Sequence, residues 1–196
     1  MELYMAEIRS ALEIAMEKAG QLGMADKKDI ETEDLFNKGR RLAAKFISGE
    51  EKDLMSGLKD VRADDLNHVI GGAVEVILRN ITLPRDKGQW SSINKALSGI
   101  VMLKGSPVKQ IVSQIEQLLK GYEQTIGRYR EQLKAQMQGK LGGIQQTLAK
   151  QYGAAAAASI DVEALPEFQN EWSRLSLSIN EQFNHQLSQL KAHLAQ

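Results

Sequence analysis

Between Ser106 and Tyr152 the apolar and aromatic side chains fall at Ile111, Ile115, Leu118, Tyr122, Ile126, Tyr129, Leu133, Met137, Leu141, Ile144, Leu148 and Tyr152, always three or four residues apart. Such spacing draws one stripe down one side of a helix. The mean step is about 3.7 residues, longer than the 3.5 of a left-handed coiled coil and close to an 11-residue repeat. The pattern predicts one long helix, straight or slightly right-handed in its winding, about 70 Å long if unbroken. Its weak place is Gly139, Gly142 and Gly143, where each glycine costs roughly 1 kcal/mol in a helix interior.

A second stripe closes the chain at Leu165, Phe168, Trp172, Leu175, Ile179, Phe183, Leu187, Leu190 and Leu194. Its mean step is about 3.6 residues, the same kind of winding. Two helices of matching winding predict an antiparallel hairpin. The turn falls at 153–164, where Gly153 and the alanines 154–158 carry no side chain large enough to anchor to a core. Charge agrees: residues 104–150 hold eight Lys or Arg against three Glu, and 161–196 hold two against five acids.

Upstream, the apolar periodicity predicts helices over Leu3–Leu22, from Thr32 to Ile47, from Ala63 to Ile81 and from Asp86 to Lys104. Gly20, Gly23 and the charged run 25–31 are expected to separate the first two, with Thr32 as N-cap. Ser48 and Glu51 fit a capping box that opens a short helix through Leu54, Met55 and Leu58. Gly105, Ser106 and Pro107 read as C′ glycine, N-cap and N1 proline. The fold class is therefore all-α: a bundle of roughly five helices over 1–105, followed by a long antiparallel helical hairpin over 106–196.

Composition adds exclusions. Lys plus Arg and Asp plus Glu stand at 25 each, so no global field draws the protein to nucleic acid or to an anionic membrane. The absence of cysteine removes disulfides, thiolate nucleophiles and Cys-ligated metals. The opening residues lack a basic segment followed by an apolar run, and no stretch approaches 18 uninterrupted apolar residues. A cytoplasmic protein with no membrane partner is expected.

Candidate chemistry is sparse. Asp64, Asp65 and His68 share one expected helix at i, i+3 and i, i+4 spacing, which sets carboxylate beside imidazole. A di-iron bundle needs two Glu-x-x-His motifs and two further glutamates, so these three read as a surface group and no metal or cofactor is expected. Glu181 and His185 sit four apart, and His185 and His193 lie among glutamines on a solvated flank. No Gly-x-Ser-x-Gly elbow, Walker loop or Gly-x-Gly-x-x-Gly occurs, and Gly71-Gly72 reads as close helix packing or a kink. The basic cluster Lys38, Arg40, Arg41 and Lys45 is offset by Glu31, Glu33 and Asp34.

The expectation is a non-catalytic scaffold or adaptor. The hairpin stripes hold more apolar surface than one partner helix covers, which favours a homodimer or another protein partner. The expected interaction surface is Ile115, Tyr122, Ile126, Tyr129, Leu133, Trp172, Ile179 and Phe183. The alternative is a bundle that holds a small apolar ligand or a metal between helices, with Asp64, Asp65 and His68 as its nameable ligands.

Overall fold

The run Ala25 to Glu31 contains no proline and is built mostly of good helix formers, so it continues a helix instead of ending one. In the computed structural model, which describes the backbone of 11–152 and 161–195 and the side chains of 27–142 and 161–195, helix α1 spans Ala11–Ser48 without a break. Gly20 and Gly23 lie inside it, and their cost is outweighed by the hydrogen bonds of the other turns. Thr32 is no N-cap. Its hydroxyl donates back to the Lys28 carbonyl at 2.9 Å, the mid-helix bond that Ser and Thr make. The expected helix start at Leu3 lies outside the described residues.

Gly49 ends α1 at φ 91°, and its N–H donates to the Lys45 carbonyl. The Glu51 N–H takes the same carbonyl, and the Ser48 hydroxyl also donates to it. The capping box is therefore not formed, because Ser48 closes the helix before it and opens none. A single 3₁₀ turn, Ser56–Leu58, stands where a short helix was expected. Helix α2 is Leu66–Asn80, and α3 is Trp90–Lys104 behind a 3₁₀ turn capped by Asp86, whose carboxylate accepts from the Gly88 and Gln89 N–H groups. Among the described residues, 11–105 thus hold three α-helices, fewer than the sequence pattern suggested.

Gly105 adopts φ 75°, ψ −152°, and its N–H donates to the Val101 carbonyl at 2.8 Å. A backbone of this shape is open to glycine and strained for other residues. Ser106 makes no cap bond; it begins a 3₁₀ turn with Pro107 that leads into α4, Lys109–Tyr152. At 44 residues, α4 spans about 66 Å. It stays helical through Gly139, Gly142 and Gly143. A 3₁₀ turn at Val162–Ala164 precedes the last helix, α5, Pro166–Ala195; the alanine run expected to form the turn is outside the described residues. The described residues form five α-helices and no strand.

The chain divides into two compact units, Met1–Ile77 and Leu78–Gln196, so the expected boundary at 105/106 lies inside the second. The reason is that α3 keeps its contacts with the Ser106–Val108 turn and α4. In the first unit α1 and α2 meet through glycine. A side chain at Gly39 would run into the Val69 carbonyl, and one at Gly72 into the Phe36 carbonyl. Both positions are buried, and backbone packs on backbone there. The close packing read at Gly71-Gly72 is real at Gly72.

In the second unit the core holds Ile93, Leu97 and Ile100 of α3, Val112, Ile115, Leu119 and Tyr122 of α4, and Phe168, Ile179, Leu187 and Leu194 of α5. Val112 and Leu119 were not part of the sequence stripe. They are buried because the first turns of α4 pack against α3 as well as α5, which widens the apolar face. Toward its other end α4 meets α5 and the turn before it: Leu133, Val162 and Phe168 form a buried cluster, flanked by Met137, Leu141, Leu165 and Trp172.

Gly127 and Gly139 face open space, with nothing within 4 Å of an added Cβ. Gly127→Ala and Gly139→Ala are therefore each expected to stabilise the second unit by about 0.5–1 kcal/mol. Urea denaturation followed by tryptophan fluorescence checks this, since both tryptophans, Trp90 and Trp172, belong to that unit.

Candidate functional site

The α4–α5 seam gathers most of the residues that the sequence pattern selects. The helices run in opposite directions: Tyr122 meets Asn180 and Phe183, and further along Leu133 packs with Phe168. Tyr122 is the hub. Its hydroxyl donates to Asn180 Oδ1 at 2.8 Å, and its ring meets Phe183 edge-on at 5.4 Å and 68°. Burial pushes its phenol above the ordinary tyrosine value, and the nearby Arg85 opposes that rise. The remaining polar ties hold flanking segments to the seam. Trp90 Nε1 donates to Glu123 at 3.2 Å, and Lys191 Nζ donates to the Ile81 carbonyl at 3.0 Å. Burial lowers the Lys191 pKa.

Near the turn Glu163 accepts from Arg130 at 2.6 Å and is bridged by Lys134 at 3.2 Å. The bond from Arg130, then that from Lys134, holds its pKa below the ordinary glutamate value. A depressed carboxylate stabilises the fold above its unfolded pKa and loses that contribution as pH falls through the folded one. The melting temperature of the wild type is accordingly expected to drop as pH falls below about 4. Glu163→Gln should show a smaller drop over the same range, as read by circular dichroism.

Of the eight residues expected to form an interaction surface, Ile115, Tyr122, Leu133 and Ile179 are buried within the chain itself. Ile126, Trp172 and Phe183 are half-buried, and Tyr129 is 36% exposed with Arg128 over its ring at 5.5 Å. Half of the set is therefore covered by the chain's own contacts, because those residues point at the seam. Beside the seam lies a groove lined mostly by glutamine. Gln114, Gln117, Gln186, Gln189 and His193 surround Leu118 and Leu190 in a groove of about 490 Å³. The sequence reading passed over this groove, since glutamine stands out in neither a hydrophobic nor a charge pattern. The signal was there as pairs of glutamines three apart on both helices.

The metal candidates lie elsewhere. Helix α2 begins at Leu66, so Asp64 and Asp65 occupy the turn before it and not a shared helix with His68. Asp65 is bridged by Arg62 at 3.6 Å, and the His68 ring lies 6.2 Å from that of Phe36. Among the described residues no group of three or more His, Asp and Glu is placed to hold a metal ion. The same residues line an open cleft of about 630 Å³, where Lys28, Lys38, Arg41 and Arg62 stand against Glu31, Asp34, Asp64 and Asp65. The basic cluster of α1 is split. Lys38 and Arg41 line this cleft, while Arg40 is taken up by Glu75 at 2.7 Å and Glu33 at 2.8 Å. His185 and His193 are exposed on α5, and the His185 ring pairs with the Gln189 amide at 3.2 Å.

Residues 55–196 match the description of a family of unknown function, DUF6657. The chain belongs to this family. The DUF6657 match takes in α2 to α5, hence the whole seam and its groove, and leaves α1 outside. Neither the curated proteins nor the solved structures contain a match to the chain. Among the described residues no helix is long and apolar enough to cross a membrane.

Proposed function

We propose that this protein is a cytoplasmic, non-catalytic scaffold or adaptor that self-associates through an antiparallel α4–α5 hairpin of 11-residue winding. The observation that carries this reading is the seam. Its buried residues are apolar or aromatic from Ile115 to Leu133 on α4 and from Phe168 to Leu194 on α5, with the Tyr122–Asn180 hydrogen bond between them. The eleven-spaced pairs Tyr122 and Leu133, and Phe168 and Ile179, all lie buried on it. The half-buried Ile126, Trp172 and Phe183 and the exposed Tyr129 flank that seam, and they are the apolar area left for another helical pair, the arrangement that four-helix assemblies use. The family match covers this part of the chain in full.

Its partner in this reading is a second copy. Co-expression of two differently tagged full-length chains tests it: purification through one tag is expected to retain the other. Loss of the second tag under gentle washing would contradict self-association.

A further inference from the structure

Independently of self-association, we infer that a pocket in the second unit binds a small hydroxy-carboxylate through Arg85, Gln89, Asn180 and Asn184. The pocket holds about 350 Å³, near the lower end for small-molecule sites, and all its residues belong to that unit. The segment between α2 and α3 supplies Thr82, Arg85 and Gln89, while α4 and α5 supply Tyr122, Asn180 and Asn184. Two of its acceptor atoms are already engaged. Asn180 Oδ1 accepts from the Tyr122 hydroxyl at 2.8 Å, and Gln89 Oε1 accepts from the Arg85 backbone N–H at 3.0 Å. These bonds orient both amides and leave their amino groups as the atoms still to be satisfied.

Among the described residues, no protein acceptor meets either amino group, the Asn184 amide or the Arg85 guanidinium. No Asp or Glu lines the pocket, and the carboxylate next in sequence, that of Asp86, accepts from the Gly88 and Gln89 N–H groups. A guanidinium and spare amide N–H groups gathered without a carboxylate are the complement of an oxyanion. Arg85 also acts electrostatically on the Tyr122 phenol, so its field reaches across the pocket. Charge and shape select among oxyanions. Arg85 is the one charged residue of the lining, so a single negative charge balances it, and its planar fork matches a carboxylate in two parallel bonds. The Asn184 amide and the Thr82 hydroxyl each carry donor and acceptor atoms, which suits a hydroxyl beside that carboxylate. The charged cleft of the first unit differs, since acids there already stand against its cations.

Backbone and side-chain amide NMR of the full-length chain at neutral pH tests the site, with sodium glycerate as the probe and sodium chloride of equal ionic strength as the reference. Saturable shifts are expected at Arg85, Gln89, Asn180 and Asn184, with a millimolar Kd or tighter. Arg85→Gln removes the charge at an exposed position and should weaken binding at least about tenfold, the loss of one charge-assisted hydrogen bond. Lys87→Gln removes an exposed charge that lines no part of the pocket, and the Kd should stay unchanged. Inorganic phosphate is expected to bind more weakly than glycerate. Glycerate shifts no larger than those of chloride, or binding that Arg85→Gln leaves intact, overturn the site. An equal loss in both variants means attraction by overall charge and overturns it as well. Phosphate bound more tightly than glycerate overturns the assignment to a carboxylate.

Discussion

Gly72→Ala is expected to destabilise the first unit by roughly 3 kcal/mol or more, the upper range of overpacking effects. The sign is opposite to the usual one, because an exposed mid-helix glycine changed to alanine gains up to about 1 kcal/mol. A methyl at Gly72 would occupy the space of the Phe36 carbonyl, and one at Gly39 that of the Val69 carbonyl. Backbone atoms cannot swing aside as a flexible side chain does, so α1 and α2 would have to separate. Gly39→Ala should cost a similar amount. Gly71→Ala should cost less, since its added Cβ meets the Phe36 ring at 2.9 Å, and a ring can shift. Thermal melts of the three variants, compared with Gly127→Ala as the stabilised control, read the contrast directly.

The second large effect is expected at Phe168. Its side chain is 1% exposed in the cluster with Leu133 and Val162, flanked by Met137, Leu141, Leu165 and Trp172. Phe168→Ala should cost about 3–5 kcal/mol, from lost burial together with the cavity left behind. Phe168→Leu keeps most of the volume and should cost less than about 1.5 kcal/mol. Trp172 packs against this cluster, so urea titration followed by its fluorescence reports the loss at its source. An unchanged transition midpoint in Phe168→Ala would mean that this end of the seam contributes little to the fold.

The sequence was legible where a residue's role follows from its own spacing. The stripe over α5, the stop at Gly105 and the helical reading of Val74 to Ile77 all depend on local period or local backbone shape, and they match the structure. Boundaries set by competition were harder. Thr32 looked like an N-cap, but its hydroxyl has a rival acceptor in the Lys28 carbonyl, and the helix runs through. Ser48 has the residues of a capping box, yet Gly49 turns the chain so that Glu51 meets Lys45 instead.

Positions that depend on a distant neighbour were least visible. Val112 and Leu119 are buried because α3 lies against the first turns of α4, which no periodicity within α4 announces. Gly39 has the same standing, as only the approach of Val69 makes its missing side chain necessary. Of the candidate surface, Ile115, Tyr122, Leu133 and Ile179 are consumed within the chain. The glutamine-lined groove emerges only once the two helices are set side by side.

Self-association of the full-length chain is the central claim, and light scattering over a range of micromolar concentrations tests it most directly. The expected mass is twice the 21.8 kDa of one chain, falling toward a single chain only on dilution. A steady 21.8 kDa at every concentration would contradict it.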